Sequence, residues 1–339
     1  MHPESYLGPV ATNPLLSLST MPGDLERVEE ELRKAVNTPN RALNEMASHL
    51  IGAGGKRVRP LFAVASAACA DDQEGPADLD VVRGGVAIEM VHLGSLHHDD
   101  VIDEAVTRRG VESVNARWGN LRAIISGDFL LARASEIGAS LGTEIAGLHA
   151  STISQLCEGE VAELQTAYQL DRSEEAYLAS IEGKTASVFS AACRIGAIVG
   201  DLPRENVERL TRFGMRYGIA FQIIDDVLDV VASDEQLGKP AGHDLVEGVY
   251  TLPVMRALDG PAGGELRELL GTPLAGAAWD RARELVRSGD AVDQAVASAE
   301  SYVDWAVAEL EPMQHRPAAQ ALEGAARHLL SSIATLRAA

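Results

Sequence analysis

Two aspartate pentads define the chemistry open to this chain. Asp99-Asp100-Val101-Ile102-Asp103 and Asp225-Asp226-Val227-Leu228-Asp229 share the form DDxxD, and both lie in apolar sequence with helical periodicity. Residues four apart on a helix share a face. Asp99 with Asp103, and Asp225 with Asp229, therefore each make two carboxylates that point the same way. Two such pairs on facing helices suit a hard divalent cation. Mg²⁺ takes oxygen ligands and is commonly shared between a few carboxylates and substrate phosphates. The pattern predicts a metal-dependent enzyme acting on a phosphorylated compound.

The charge balance tests that expectation. The 339 residues carry 50 Asp and Glu against 29 Lys and Arg, a net charge of −21. Such a field disfavours nucleic acid as a partner. It would also repel a diphosphate, so a phosphate site needs local cations. Clusters of them are present. Arg108-Arg109-Gly110 follows the first pentad; two arginines at a helix end can be solvated and favourable to the dipole, or can grip phosphate oxygens bidentately. His92 lies two helical turns before Asp99 on the same stripe, and alone it reads equally as a core histidine. Gln222 shares the stripe of Asp225, and Gly238-Lys239-Pro240 follows the second pentad. Gly54-Gly55-Lys56-Arg57-Val58-Arg59-Pro60 is the most basic short segment; its glycines allow close backbone approach to a ligand, and it lacks the Walker spacing. Gly183-Lys184-Thr185 falls in mid-helix, where glycine costs about 1 kcal/mol against alanine. Either the glycine is tolerated beside an exposed lysine, or it marks close packing or a helix break near a ligand.

The elements that must position these groups read as helices. Strand signals are scarce and most segments have helical periodicity, so the expected class is all-α. Residues 1–22 are expected as a loose surface segment and 23–339 as one helical domain, with no linker to divide it. A first helix is expected from Asp24, as N-cap, to Asn37. Further helices are expected over 61–70, 79–103, 121–141, 147–167, 173–199, 204–231 and 251–258, and two or three in 277–339. The stretches between, including 52–60, 108–119 and 233–248, carry loop signals. Cys69, Cys157 and Cys193 form no CxxC pair and are expected as buried small hydrophobes in a reducing compartment. No signal-peptide pattern opens the chain and no apolar run reaches about 18 residues. A cytoplasmic protein is expected.

The ordered set of GGKRxR, HxxxxxxDDxxD with RRG, GKT, QxxDDxxD and GKP resembles the trans-prenyltransferases, the all-trans polyprenyl (isoprenyl) diphosphate synthases. Leu96–Glu104, Phe221–Asp229, Gly127–Leu131 and Glu158-Gly159-Glu160 are similar in wording to that family. The resemblance runs from about Gly54 to Pro253. It implies a single-domain bundle of mostly antiparallel helices around a deep central cavity, with the two motifs facing each other at its mouth and sharing three Mg²⁺. The implied reaction joins an allylic diphosphate to isopentenyl diphosphate head to tail and releases pyrophosphate. By motif position, Asp99 and Asp103 would hold two metals with Asp100 assisting, and Asp225 the third with Asp229 near its water shell. Arg108, Lys184, Thr185, Gln222 and Lys239 would hold the allylic diphosphate, and Lys56, Arg59, His92 and Arg109 isopentenyl diphosphate. A homodimer is implied by analogy.

The chain departs from the family pattern at three places. Gly110-Val111-Glu112 replaces Gly-x-Pro, His243 stands where Asn is frequent, and Val249 where many relatives carry lysine. In this family bulky residues just before the first motif floor the product pocket. Gly94 and Ser95 are small there, which implies geranylgeranyl or a longer product, with Met90 and Val91 one turn below as the next limits. Two other readings compete. A class I terpene cyclase needs a different second motif and no GGKRVR segment. A non-catalytic, product-tuning subunit usually lacks one pentad, and both are intact here.

Overall fold

The computed structural model describes residues 13–70, 75–232 and 242–338. The expected class holds: helices make up almost all of the regular structure. They are α1 Met21–Ala35, α2 Arg41–Gly52, α3 Val58–Ala67, α4 Leu79–Ile102, α5 Val114–Trp118, α6 Asn120–Ser140, α7 Thr143–Gln165, α8 Glu174–Ile181, α9 Ser187–Val199, α10 Arg204–Val231, α11 His243–Glu247, α12 Leu252–Asp259, α13 Gly263–Leu269, α14 Ala277–Arg287, α15 Ala291–Glu309 and α16 Pro317–Ala338. The sheet among the described residues is one antiparallel pair, β1 Thr107–Arg108 with β2 Val111–Glu112.

The two motif helices, α4 and α10, belong to a layered bundle. α4 packs on α6, α3 and α9; α10 packs on α9 and α15. Phe62 from α3, Phe189 from α9, and Phe213, Tyr217 and Phe221 from α10 join them through ring contacts with centroids 4.4–6.3 Å apart. Edge-on and offset contacts of this kind add specific geometry to a large apolar burial. α10 is thus tied through rings to α3 and α9, the two helices on which α4 also packs.

Several local expectations need correction. Residues 13–22 are not loose: Asn13 caps a 3₁₀ turn over Pro14–Ser17, and Leu15 and Met21 are fully buried. Residues 1–12 lie outside the described residues. α1 starts at Met21 with Pro22 in its first turn, so Asp24 is not its cap. Asp24 is buried, and its two carboxylate oxygens accept the Ala77 N–H at 3.0 and 3.2 Å, tying α1 to the approach to α4. α2 was not expected; Asn40 caps it by accepting from the Leu43 N–H. The stretch 108–119 holds the β-hairpin and α5. Its two-residue turn, Arg109-Gly110, takes positive φ at both positions (54° and 77°), the geometry that matches hairpin twist. Cys69 and Cys193 are buried as expected, but Cys157 is exposed. No helix among the described residues is long and apolar enough to cross a membrane.

Candidate active site

The first motif closes α4. Asp99 is half-buried and Asp103, at the helix C-cap, is exposed. Burial lifts the Asp99 carboxyl to about 7; Lys184 opposes the rise, and Glu160 and Asp103 add to it. Asp100, one residue round the helix, points elsewhere. It is fully buried, and one carboxylate oxygen accepts from Arg108 Nε at 2.6 Å and Nη2 at 2.5 Å. Arg108 is itself 3% exposed. Asp100 and Arg108 thus engage each other, whereas the sequence offered them to metal and diphosphate.

The Gly183-Lys184-Thr185 step lies in a π-helical turn, Glu182–Ala186, between α8 and α9. Such turns are frequent at functional sites. Its glycine is explained by packing. A Cβ on Gly183 would lie 2.6 Å from the Gln155 carbonyl oxygen, and one on Gly159 2.5 Å from the Lys184 nitrogen. The π turn and α7 therefore meet backbone to backbone. Lys184 Nζ reaches Glu160 at 2.8 Å and Glu163 at 2.6 Å. Burial works against its charge, but Glu163, Glu160 and Asp99 outweigh it and hold the ammonium well above its ordinary pKa. Thr185 Oγ1 donates to Gln222 Oε1 at 2.7 Å. One dipeptide step thus touches α7 and the second-motif helix α10, and its charge acts on Asp99 of the first.

In the second motif, α10 presents Asp225 half-buried, and buries Asp226 and Asp229. Asp226 accepts Tyr177 Oη at 2.5 Å on one oxygen and Gln222 Nε2 at 2.9 Å on the other. Asp229 Oδ2 accepts the Asp244 N–H at 3.3 Å, and its carbonyl accepts the Gly242 N–H at 2.8 Å. The last carbonyls of α10 take guanidinium donors from α14: Arg283 on Val230 and Ala232, Arg287 on Val230, Val231 and Ala232. Cations suit a helix C-terminus, where carbonyls lack intrahelical partners. Lys239 lies outside the described residues.

The basic segments also gather. Arg109 Nη1 donates to the carbonyls of Gly54 at 2.6 Å and Leu50 at 3.2 Å, docking the hairpin turn on the GGKRVR loop. Arg57 is a pillar of that loop: it is 1% exposed and paired with Glu29 at 2.5 Å and Glu89 at 3.3 Å. Lys56 stays half-buried. Arg59 is buried with its guanidinium over the Phe189 ring, and His92 is buried on α4.

Upstream of Asp99, Gly94 does not border open space. A Cβ there would lie 3.0 Å from Leu131 Cγ and 3.1 Å from the Gly127 carbonyl oxygen. The small residue serves the crossing of α4 and α6. Ser95, four before Asp99, is half-buried on the aspartate stripe, and Met90 and Val91 are fully buried below. Cavities of about 240 Å³ beside Arg172 and Tyr250, and about 280 Å³ along α14, include no motif residue. Sequence reasoning gave no role to Glu160, Glu163, Tyr177 or Arg57. Glu160 lies in the Glu158-Gly159-Glu160 wording and Arg57 within the GGKRVR segment, while Glu163 and Tyr177 carry no local signal.

The donor set fits Mg²⁺: carboxylate oxygens on two helices, with Asp100 and Asp226 already occupied by protein donors and Asp99, Asp103 and Asp225 more accessible. Among the described residues no three carboxylate, imidazole or thiolate groups form a ready cage. That suits an ion completed by substrate phosphates and water.

Residues 40–282 match the family model described as Polyprenyl synthetase. The chain belongs to the polyprenyl synthetase family. It is 39% identical over 291 residues to heptaprenyl diphosphate synthase component 2 of Geobacillus stearothermophilus, covering 85% of this chain and 89% of that one. It is 42% identical over 250 residues to nonaprenyl diphosphate synthase of Mycobacterium tuberculosis, covering 73% and 74%. The polyprenyl synthase of Caulobacter crescentus CB15, solved with calcium and isoprenyl diphosphate, superposes with a TM-score of 0.86 at 33% identity over 96% of this chain and 98% of that one. Membership of the polyprenyl synthetase family makes the chain a prenyltransferase.

Proposed function

We propose that this polyprenyl synthetase condenses an allylic diphosphate with isopentenyl diphosphate to an all-trans polyprenyl diphosphate, releasing pyrophosphate. The observation that carries the reading is the Lys184-Thr185 step: the ammonium, paired with Glu160 and Glu163, acts electrostatically on Asp99 of the first motif, while the hydroxyl donates to Gln222 beside the second. A diphosphate there would meet both motifs at once. Asp99, Asp103 and Asp225 would hold three Mg²⁺, with Asp229 near the third. Mg²⁺, when bound, stabilises the negative charge that develops on the leaving diphosphate. Lys184 would then share its charge between Glu160, Glu163 and the phosphates. Thr185, Gln222 and Lys239 would fix their orientation, and Arg108 would act from beside Asp100. Lys56, Arg59, His92 and Arg109 would hold isopentenyl diphosphate. As the allylic C–O bond breaks, the double bond of the second substrate attacks the carbocation. A C–C bond forms, and the released proton passes to the departing pyrophosphate. Apolar surroundings protect the cation from water.

The product is geranylgeranyl diphosphate or longer. Support comes from the hepta- and nonaprenyl names of the relatives and from small Ser95 under Asp99. Purified protein given farnesyl diphosphate, isopentenyl diphosphate and Mg²⁺ should release pyrophosphate and yield products longer than farnesyl by mass. Extension that stops at farnesyl refutes the length. No pyrophosphate release with any allylic primer favours a product-tuning subunit.

The active unit in this reading is a cytoplasmic homodimer joined through α6 and α7. These two packed helices expose Leu121, Ile124, Ile125, Val161 and Leu164, more large apolar side chains than scattered surface positions need. Sedimentation should show a dimer for the purified chain and a monomer for Ile125→Asp with Leu164→Asp. A monomeric wild type points to a different second subunit, as the name "component 2" implies for the Geobacillus relative.

A further inference from the structure

Arg172 is a buried cation that the proposed chemistry does not use. It is 7% exposed, and Glu163 and Asp226 act on its charge through space. Its hydrogen bonds go to neutral oxygens: Nη2 to Ser180 Oγ at 2.5 Å and Nη1 to the Tyr250 carbonyl at 3.4 Å. A charge buried this way is costly unless something nearby uses its field. Its guanidinium carbon stands 5.5 Å from the centroid of the Tyr177 ring. That ring is itself fully enclosed, and its hydroxyl donates to Asp226 at 2.5 Å. A cation over an aromatic face is attracted by the ring, and in a low-dielectric interior linked donors polarise one another. Arg172, Tyr177 and Asp226 therefore form one chain, in which the cation strengthens the phenol as a donor to the carboxylate. It continues through Gln222 to Thr185, next to Lys184.

We propose that Tyr177 is a positioning residue for the second aspartate motif, with Arg172 as the charge behind it. The inference rests on the proposed function. Tyr177 holds the Asp226 carboxylate toward α8 and out of the cleft. With Asp226 anchored, α10 keeps the rotation that offers Asp225, and Gln222 keeps Thr185 oriented toward the allylic diphosphate. The chain runs through α8, α10 and the π turn, whereas Lys56 and Arg59 lie on the GGKRVR segment and Arg109 on the hairpin turn, so isopentenyl diphosphate binding is expected to change little.

Tyr177→Phe removes one hydroxyl and keeps the ring. Calorimetry with Mg²⁺ and inorganic pyrophosphate should show binding weakened about tenfold, the scale of one hydrogen bond to a charged group. Binding of isopentenyl diphosphate without metal should stay within twofold of wild type. In turnover, KM for the allylic diphosphate and the Mg²⁺ requirement should rise while KM for isopentenyl diphosphate holds. Arg172→Gln should give the same split with a smaller shift, about threefold, and serves if Tyr177→Phe fails to fold. Unchanged Mg²⁺–pyrophosphate binding in the folded variants overturns the inference, and so does an equal loss for both ligands. If wild type binds neither ligand and turns over no primer, the proposed function itself fails, a result distinct from either.

Discussion

The two aspartate motifs share a spelling and differ in what secures their inner carboxylate. Asp100 is held by a guanidinium, Arg108, through two donors on one oxygen. Asp226 is held by neutral donors, the Tyr177 phenol and the Gln222 amide, with the nearest buried cation one ring away. The first arrangement neutralises a buried charge by direct pairing. The second has no direct ion pair among its hydrogen-bond donors, and burial lifts the Asp226 carboxyl to about 7 despite Tyr177 and Gln222. The difference follows from position. The first motif ends its helix beside a hairpin that brings an arginine back within eight residues. The second lies in α10 against α8, where Gln222 comes from one turn back on the same helix and Tyr177 from 49 residues away. The first motif is anchored by a nearby cation, the second by one local and one tertiary neutral donor.

The sharpest break of that comparison is at the outer aspartates. Asp99→Ala and Asp225→Ala should each lower kcat by about 10³-fold or more while the protein stays folded, the loss being larger for Asp99, which is assigned to two metals. Steady-state turnover and circular dichroism together check this, and near-wild-type rates in both would remove the metal assignment. Next come the inner pair. Asp100→Ala strands Arg108 in the interior and should cost about 3–5 kcal/mol in urea unfolding. Asp226→Asn keeps an oxygen for the Tyr177 hydroxyl and should cost about 1 kcal/mol. Equal losses would erase the distinction between ionic and neutral anchoring.

Acid offers a control outside both motifs. His149 on α7 is buried against Gly138, and burial lowers its pKa from 6.5 to about 4. The unfolded chain then binds the proton more readily. His149 thus contributes full stability above pH 6.5 and loses it as pH falls toward 4, about 2 kcal/mol by pH 5. Urea midpoints from pH 7 to 5 should fall accordingly, and His149→Leu should flatten that part of the slope. An unchanged slope in the variant would assign acid loss to other groups. A comparably small effect is expected at Gly94→Ala. Its methyl meets Leu131 at 3.0 Å, and a shift of a few tenths of an ångström should hold the cost to about 1 kcal/mol. A large loss there would show that the α4–α6 crossing holds the first motif more rigidly than its hairpin does.

Legibility in the sequence divides along the same line. α10 has the expected bounds, 204–231, and α4 differs at one end by a single residue, because long periodic apolar faces declare themselves. α2 was missed although Asn40 marked its start. The hairpin was unreadable because its turn puts Arg109, a non-glycine residue, at positive φ. The outer aspartates could be placed by helical spacing, and Gln222 lies one turn from Asp226, but the distant partners could not be read. Tyr177 lies 49 residues from Asp226, and Lys184 lies 21 from Glu163. No local pattern marks contacts made only when α7, α8 and α10 pack. Gly94 shows the same limit: a small residue beside another helix and a small residue beside a cavity look alike until the neighbour is known.

The arginine clamp at the end of α10 bears on where this enzyme can be cut. The family match stops at residue 282, one position short of Arg283. A gene trimmed to that boundary would keep every motif and lose both guanidinium groups that secure the carbonyls of Val230, Val231 and Ala232, just beyond Asp229. Such a cut would also remove α15, which packs on α10, so the clamp is isolated by point changes instead: Arg283→Ala with Arg287→Ala in the full chain should lower metal-dependent turnover while leaving every motif in place.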